Sequence, residues 1–480
     1  MIRQTIAALA LLAAALGIGT AIAPAAAQDA QDQLDARYDR ALAAGYKALM
    51  LCSAIGNAEE NGATRTPESV HEWELSGIYA ALDPIIRDLP FEIVREAGAV
   101  RFVSVAWSDD MPPRLAVRQK RTGCRVMPIG MDRATASASV APSGPAIGIP
   151  ANLTSLPPQD KRIEYPTVEA PSPAMQQLAA AAFGDAYGED ARTTAILVLR
   201  DNAIEAERYG QGFDVDTPQR TWSVAKSLAA TFVGYRLRAE RKSVESSAGL
   251  GIDESDPRRA ITIDNALRMA SGRYSDTPGN RTDPLYWGGT TVAERAQNWP
   301  LLHEPGTVYR YANNDTLAAV QALGPTVIDR NMLEFLQRTG MNATFVESDW
   351  QGNFVLSSQV WSTARDLARL GQFHLDGDIP GVGRVIDPQW RDYVSNPSGP
   401  QPEGTEWGYG AGWWTFRRPE GNAFEGIPDD AFAARGNRGQ YVVVVPSRDV
   451  VIVRRGEDPA GGSGFDIAAF TREVLSALED

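Results

Sequence analysis

The chain has 480 residues, of which 44% are hydrophobic and 22% charged, an ordinary globular balance with room for two or three domains. Its formal charge of −14 makes it a poor ligand for a phosphate backbone, so no nucleic-acid partner is expected.

Residues 1–27 read as a secretory signal. Arg3 opens it, Ile6 to Ile22 is apolar and Ala-rich, and Ala25-Ala26-Ala27 before Gln28 fits the small-residue cleavage pattern. The mature protein is expected in the periplasm or outside the cell, with no stable membrane anchor after cleavage. Cys52 and Cys124 are the two cysteines, and an even count in an exported protein reads as one disulfide.

Residues 28–127 predict a small α+β domain. Asp32 to Asn57 is helical, with Leu34, Tyr38, Ala41, Tyr46, Leu49 and Met50 near one face. Val100 to Trp107 and Arg114 to Arg121 read as strands around Met111-Pro112-Pro113. Residues 128–172, rich in Pro, Gly, Ser and Ala, read as a linker.

Residues 173–480 form the second predicted domain. Ala174 to Phe183 is a helix, and Thr193 to Leu199 and Ala203 to Tyr209 pair around Asp201-Asn202. Ser223 to Arg238 is helical, and the middle to about Asp387 is mostly helix and loop. Gln440 to Val445 and Val450 to Arg454 form a hairpin, and Phe465 to Leu478 closes the chain as a helix. The expected fold class is α+β: an antiparallel sheet flanked by helices from both ends of the domain, with a helical insertion.

The chemistry concentrates in three places. Only five of the 46 basic residues are lysines, and one of them, Lys226, follows Ser223 in a Ser-x-x-Lys motif. Residues i and i+3 share a helix face, so the amine can reach the hydroxyl. Unlike a guanidinium, a desolvated amine can lose its proton and activate a serine. The second element is Tyr311-Ala312-Asn313, 88 residues beyond Ser223. The third is Arg435-Gly436-Asn437-Arg438-Gly439-Gln440, at the opening of the final hairpin.

With these motifs the chain resembles the β-lactamase-related serine hydrolases that share the penicillin-binding, class C β-lactamase fold. The pattern is nearest to nylon-oligomer (6-aminohexanoate-dimer) hydrolases and family VIII esterases. Leu267-Arg268-Met269-Ala270-Ser271-Gly272, Glu304-Pro305-Gly306-Thr307, Ser362 to Ala368 and Gly408-Tyr409-Gly410 support it. The resemblance implies that Ser223 is acylated, Lys226 takes or holds the proton, and Tyr311 shares acid and base duty; the positive charge of a neighbouring lysine would favour the Tyr311 phenolate. Asn313 would hold the substrate amide and steady Lys226. The Gln440 N–H, reached through Gly439, would complete an oxyanion hole with that of Ser223.

The third element departs from the family. Lys-Thr-Gly is usual there in β-lactamases and D,D-peptidases, whereas this chain has Asn437-Arg438-Gly439. Arg438 or Arg435, with Asn437, is the candidate substrate anchor. The expectation is therefore an exported hydrolase of a small amide or ester, with no metal or organic cofactor. The rivals are a β-lactamase or D,D-peptidase, and a non-catalytic binding protein on the same fold. A Ser-His-Asp hydrolase is disfavoured because no Gly-x-Ser-x-Gly elbow is present. His71, His303 and His374 show no zinc-ligand spacing.

Overall fold

The computed structural model describes residues 4–77, 79–139, 164–169, 172–274, 284–376, 378–379, 381–460 and 464–479, with side chains from residue 28 onward apart from 139 and 325–330.

The N-terminal unit packs one long helix on a four-stranded antiparallel sheet. Helix α1 (Gln4–Glu60) buries its stretch from Ala41 to Ile55 almost completely. Short helices α2 (Pro67–Trp73) and α3 (Asp83–Ile86) follow. The sheet runs in chain order through β1 (Phe91–Glu96), β2 (Ala99–Val105), β3 (Arg114–Gln119) and β4 (Gly123–Val126). Cys52 on α1 is bonded to Cys124 on β4, as the cysteine count predicts. The helix begins earlier than the sequence suggests, and the side chains of the expected signal segment lie outside the described residues. Among the described residues no helix is long and apolar enough to cross a membrane.

The expected linker falls only in part within the described residues. Helix α4 (Arg133–Ser139) forms inside it, and Tyr165 is buried with its hydroxyl 2.9 Å from Gln372 Oε1. Residues 140–163 and 170–171 of that stretch lie outside the described residues.

The second unit is built on a seven-stranded antiparallel sheet in the order β10-β11-β14-β15-β16-β5-β6. Its strands are β5 (Thr193–Arg200), β6 (Ala203–Tyr209), β10 (Gly408–Tyr409), β11 (Trp414–Thr415), β14 (Phe432–Gly436), β15 (Gln440–Val445) and β16 (Val450–Gly456). Strand alternation splits its apolar residues between two cores. Ile196, Val198, Val443 and Ile452 face the terminal helices α5 (Pro173–Ala181) and α13 (Ile467–Ala477). Leu197, Leu199, Val442 and Val453 face α6 (Val224–Glu240) and α11 (Ala364–Gln372). The remaining helices, α7 (Ile263–Leu267), α8 (Val292–Ala296), α9 (Asn313–Gln321), α10 (Pro325–Thr339) and α12 (Pro388–Ser395), come from the middle of the chain. Two small sheets complete the unit: β7 (Gln219–Arg220) pairs with β9 (Val360–Ser362), which pairs with β8 (Phe345–Val346), and β12 (Arg417–Arg418) pairs with β13 (Gly421–Asn422). This is the β-lactamase/transpeptidase-like α+β architecture, and the predicted terminal helices and hairpin fall where expected.

The two units share a core. Trp222, Leu317, Phe345 and Trp361 of the second unit cluster with Tyr46, Leu49 and Val103 of the first. Arg438 reinforces the junction from the β14–β15 turn. Its guanidinium donates to Trp73 O (2.7 Å), Ser76 O (3.0 Å), Glu457 O (2.9 Å) and Asp458 O (3.0 Å). The Ala460 N–H donates to Gly77 O at 2.8 Å.

Candidate active site

Ser223 stands at the start of α6, and the residue before it is strained. Trp222 has φ +49°, a left-handed conformation rarely adopted by a bulky residue. The turn is held by the Val224 N–H donating to Thr221 O at 3.2 Å, and by Trp222 stacked 3.7 Å from the Arg220 guanidinium.

Lys226 lies one turn along and is 2% exposed. Its Nζ is 3.1 Å from Ser223 Oγ, 2.5 Å from Asn313 Oδ1 and 2.9 Å from Ser357 O. The Tyr311 ring centroid is 4.9 Å away. No carboxylate contacts the amine among the described residues, and burial pushes it down to about 7. Tyr311 hydrogen-bonds Ser223. Burial pushes its phenol up, more than the Ser223 hydrogen bond and the Arg435 charge pull it down. The expected phenolate is therefore corrected. Desolvation penalises both charged forms, leaving a neutral phenol beside an amine that is readily neutral.

Two supporting residues, Ser357 and Tyr286, belong to none of the motifs. Ser357, in the loop before β9, supplies the third acceptor to Lys226, and its Oγ lies 3.1 Å from the Tyr286 hydroxyl. A lone loop serine carries no local signature, so only the fold brings it in. Tyr309, set apart from Tyr311 by lacking an Asn two residues on, packs edge-on against Tyr409 at 5.4 Å and stays out of the cleft wall.

Ser223, Tyr311 and Asn313 open into a cleft of about 380 Å³ walled by Trp222, Tyr286, Trp414 and Tyr79. The third element meets it one turn earlier than expected, through Arg435, Gly436 and Asn437. A Cβ on Gly436 would lie 2.5 Å from Thr221 O and 3.2 Å from Ser223 N, so only glycine lets β14 approach the nucleophile turn this closely. Gln440 pairs with Gly436 inside the β14–β15 ladder and does not line the cleft. Gly439 packs against Arg454 and Asp458. Arg438, 4% exposed, is spent on the junction carbonyls and stands 2.7 Å from Glu457. Gly439, Gln440 and Arg438 are thus not where the sequence reading put them. Its Gly-third pattern caught the hairpin turn instead of the strand end.

Arg435 is the cleft's cation. Its guanidinium stacks 4.1 Å from the Trp407 ring and 5.0 Å from Trp414, and it hydrogen-bonds Tyr441. No carboxylate pairs with it among the described residues. His374 is buried against Trp413 at 4.6 Å with Nδ1 3.1 Å from Leu370 O, and His303 is exposed. Among the described residues no group of three or more His, Cys, Asp or Glu could hold a metal ion.

These motifs on this sheet define a family. The family model described as Beta-lactamase matches residues 180–455, more than half of the chain, and the protein belongs to that family of serine hydrolases. Among curated proteins it is 26% identical over 304 residues to the 6-aminohexanoate-dimer hydrolase of Paenarthrobacter ureafaciens, spanning 55% of this chain and 73% of that one. Among solved structures it is similar to a Bacillus anthracis protein provisionally named as a 6-aminohexanoate-dimer hydrolase. The TM-score is 0.51 at 19% identity, over 67% of this chain and 86% of that one, which speaks to the fold alone.

Proposed function

We propose that the protein is an exported serine hydrolase that cleaves an amide or ester through an acyl-enzyme on Ser223. One observation carries the reading: a buried amine in hydrogen-bond reach of a serine hydroxyl, with no carboxylate among the described residues to hold its proton. Neutral Lys226 takes the Ser223 proton as Oγ attacks the carbonyl carbon. The oxyanion is received by the Ser223 N–H and, in place of Gln440, by the Asn437 N–H at the cleft end of β14. Two such aimed donors lower the barrier, and losing one typically costs ~3 kcal/mol. Tyr311, a phenol, protonates the leaving nitrogen or oxygen, with the Lys226 ammonium as the source of the replacement proton. Water then repeats the sequence on the acyl-enzyme.

Arg435 adds a preference for substrates that carry a carboxylate. An unpaired guanidinium in a partly desolvated wall gains most from an anionic partner. The curated relative acts, by its name, on a dimer of an amino acid, which fits this reading. An amide or ester is preferred over a β-lactam because the third motif has no lysine.

The test is a screen with p-nitrophenyl esters, anilides and a chromogenic cephalosporin, alongside intact-mass detection of a fluorophosphonate adduct. The wild type is expected to take one adduct on Ser223 and the Ser223→Ala protein none. Full turnover by Ser223→Ala would overturn the mechanism. Fast cephalosporin cleavage with little ester turnover would make the protein a β-lactamase.

A further inference from the structure

The N-terminal unit reaches the catalytic cleft. Tyr79, in the loop between α2 and α3, lines the same cavity as Ser223 and Tyr286. Its backbone N–H and that of Gly77 donate to the Asp83 carboxylate, at 3.4 and 3.0 Å, which shapes the loop. The loop is clamped to the second unit by Arg438, on Trp73 O and Ser76 O, and by the Ala460 N–H on Gly77 O. It is thus an anchored wall.

The ring of Tyr79 is fixed as firmly as its backbone. It lies 4.9 Å from Trp287 and 6.0 Å edge-on from Tyr46 of α1, and Tyr46 and Trp287 are 5.1 Å apart. Each ring blocks the rotation of the others, and such aromatic contacts add to the energy of burial. The same stack continues into the chemistry. Trp287 is followed back along the chain by Tyr286, whose hydroxyl meets Ser357 Oγ, and Ser357 O holds Lys226.

We propose that Tyr79 is a specificity-determining residue of the hydrolase: its fixed ring sets the width of the cleft beside Ser223, admitting slim chains and excluding branched groups. The proposal rests on the reading of Ser223 as nucleophile, but the width of the cleft can be measured without the chemistry. An apolar wall discriminates by size, and one misplaced methyl group against such a wall changes kcat/KM or affinity by about 10- to 200-fold.

The experiment has two arms. In the first, wild type, Tyr79→Ala and Tyr79→Phe are compared on p-nitrophenyl butyrate and p-nitrophenyl pivalate. The pivalate-to-butyrate ratio of kcat/KM is expected to rise about tenfold or more in Tyr79→Ala and to keep its wild-type value in Tyr79→Phe. In the second, the Ser223→Ala protein, with and without Tyr79→Ala, is titrated calorimetrically with pivalanilide and butyranilide. Removing the ring is expected to tighten pivalanilide about tenfold relative to butyranilide. If neither ratio moves, or if both ligands lose equally, Tyr79 is a structural prop and the proposal falls. If Ser223 takes no fluorophosphonate adduct but the anilide ratio shifts, the nucleophile reading fails and the width-setting role stands.

Discussion

Two regions of this molecule bury basic side chains, and they treat them oppositely. Beneath the junction of the two units, charge is matched. Arg65 meets Glu74 through two hydrogen bonds of 2.9 and 2.8 Å, with the paired side chains 0% and 2% exposed. Arg454 meets Asp458 through two more, of 2.7 and 2.8 Å. At the cleft, Lys226 is buried and Arg435 partly so, and among the described residues neither has a carboxylate beside it. A matched pair recovers much of its desolvation cost from its partner. An unmatched cation that is not already held by several carbonyls, as Lys47 is, recovers it by losing a proton, which an amine can do and a guanidinium cannot, or by gaining an anion from outside. The first route suits a base, and the second suits a binding site.

The contrast can be broken at four points. Ser223→Ala is expected to lower kcat by about 10⁴-fold or more with no loss of thermal stability, read by ester turnover and melting midpoint. Lys226→Ala is expected to cost about 10²- to 10⁴-fold in kcat/KM. In the wild type the neutral amine is the active form. kcat/KM should therefore rise about tenfold per pH unit below 7 and level off above, and the Lys226 variant should lack that limb. The linkage has a definite sign. The folded-state value of about 7 lies below the ordinary 10.5, so the folded chain binds fewer protons between them. Lys226 then lowers stability most below pH 7, and that cost fades as pH rises towards 10.5. Lys226→Met should accordingly melt no lower than wild type at pH 6. Arg65→Met should do the reverse. Stranding Glu74 costs about 3–5 kcal/mol of stability in urea titrations, while the Ser223 adduct still forms. The smallest expected effect is at Arg435→Gln, about a tenfold loss of kcat/KM on mono-p-nitrophenyl glutarate but not on p-nitrophenyl butyrate. Equal losses on the two esters would show that Arg435 only supports the wall.

Much of the sheet and its terminal helices was legible because periodicity and turn residues agree there. β5, β15 and β16 are unbroken runs rich in apolar and β-branched residues and β6 alternates, with Asp201-Asn202 and Pro446 to Asp449 marking the turns between the pairs. Strands β1 and β4 were not legible. Phe91 to Glu96 is half charged, and Gly123 to Val126 is too short to show a period. At the site, Ser223, Lys226, Tyr311 and Asn313 sit in local motifs, and the fold brings them together. Arg435 and Tyr79 have no such motif. Strand register puts Arg435 against Trp407 and Trp414, and a docked loop from the other unit delivers Tyr79. Scarcity of lysine was also an incomplete guide. Lys47 is buried as well, but it holds Ile86 O, Arg87 O and Leu89 O and touches no nucleophile.

The clamp on the Tyr79 loop has a consequence for synthesis. Arg438 reaches back 365 positions to Trp73 and 362 to Ser76, and Ala460 reaches back to Gly77. Contacts this distant in sequence carry the largest closure entropy, and the chain must supply them before they return any stability. A growing polypeptide thus has its serine and lysine adjacent as soon as α6 forms, yet has no finished cleft until residue 460 is available. The order of assembly withholds a complete site until residue 460 has been made.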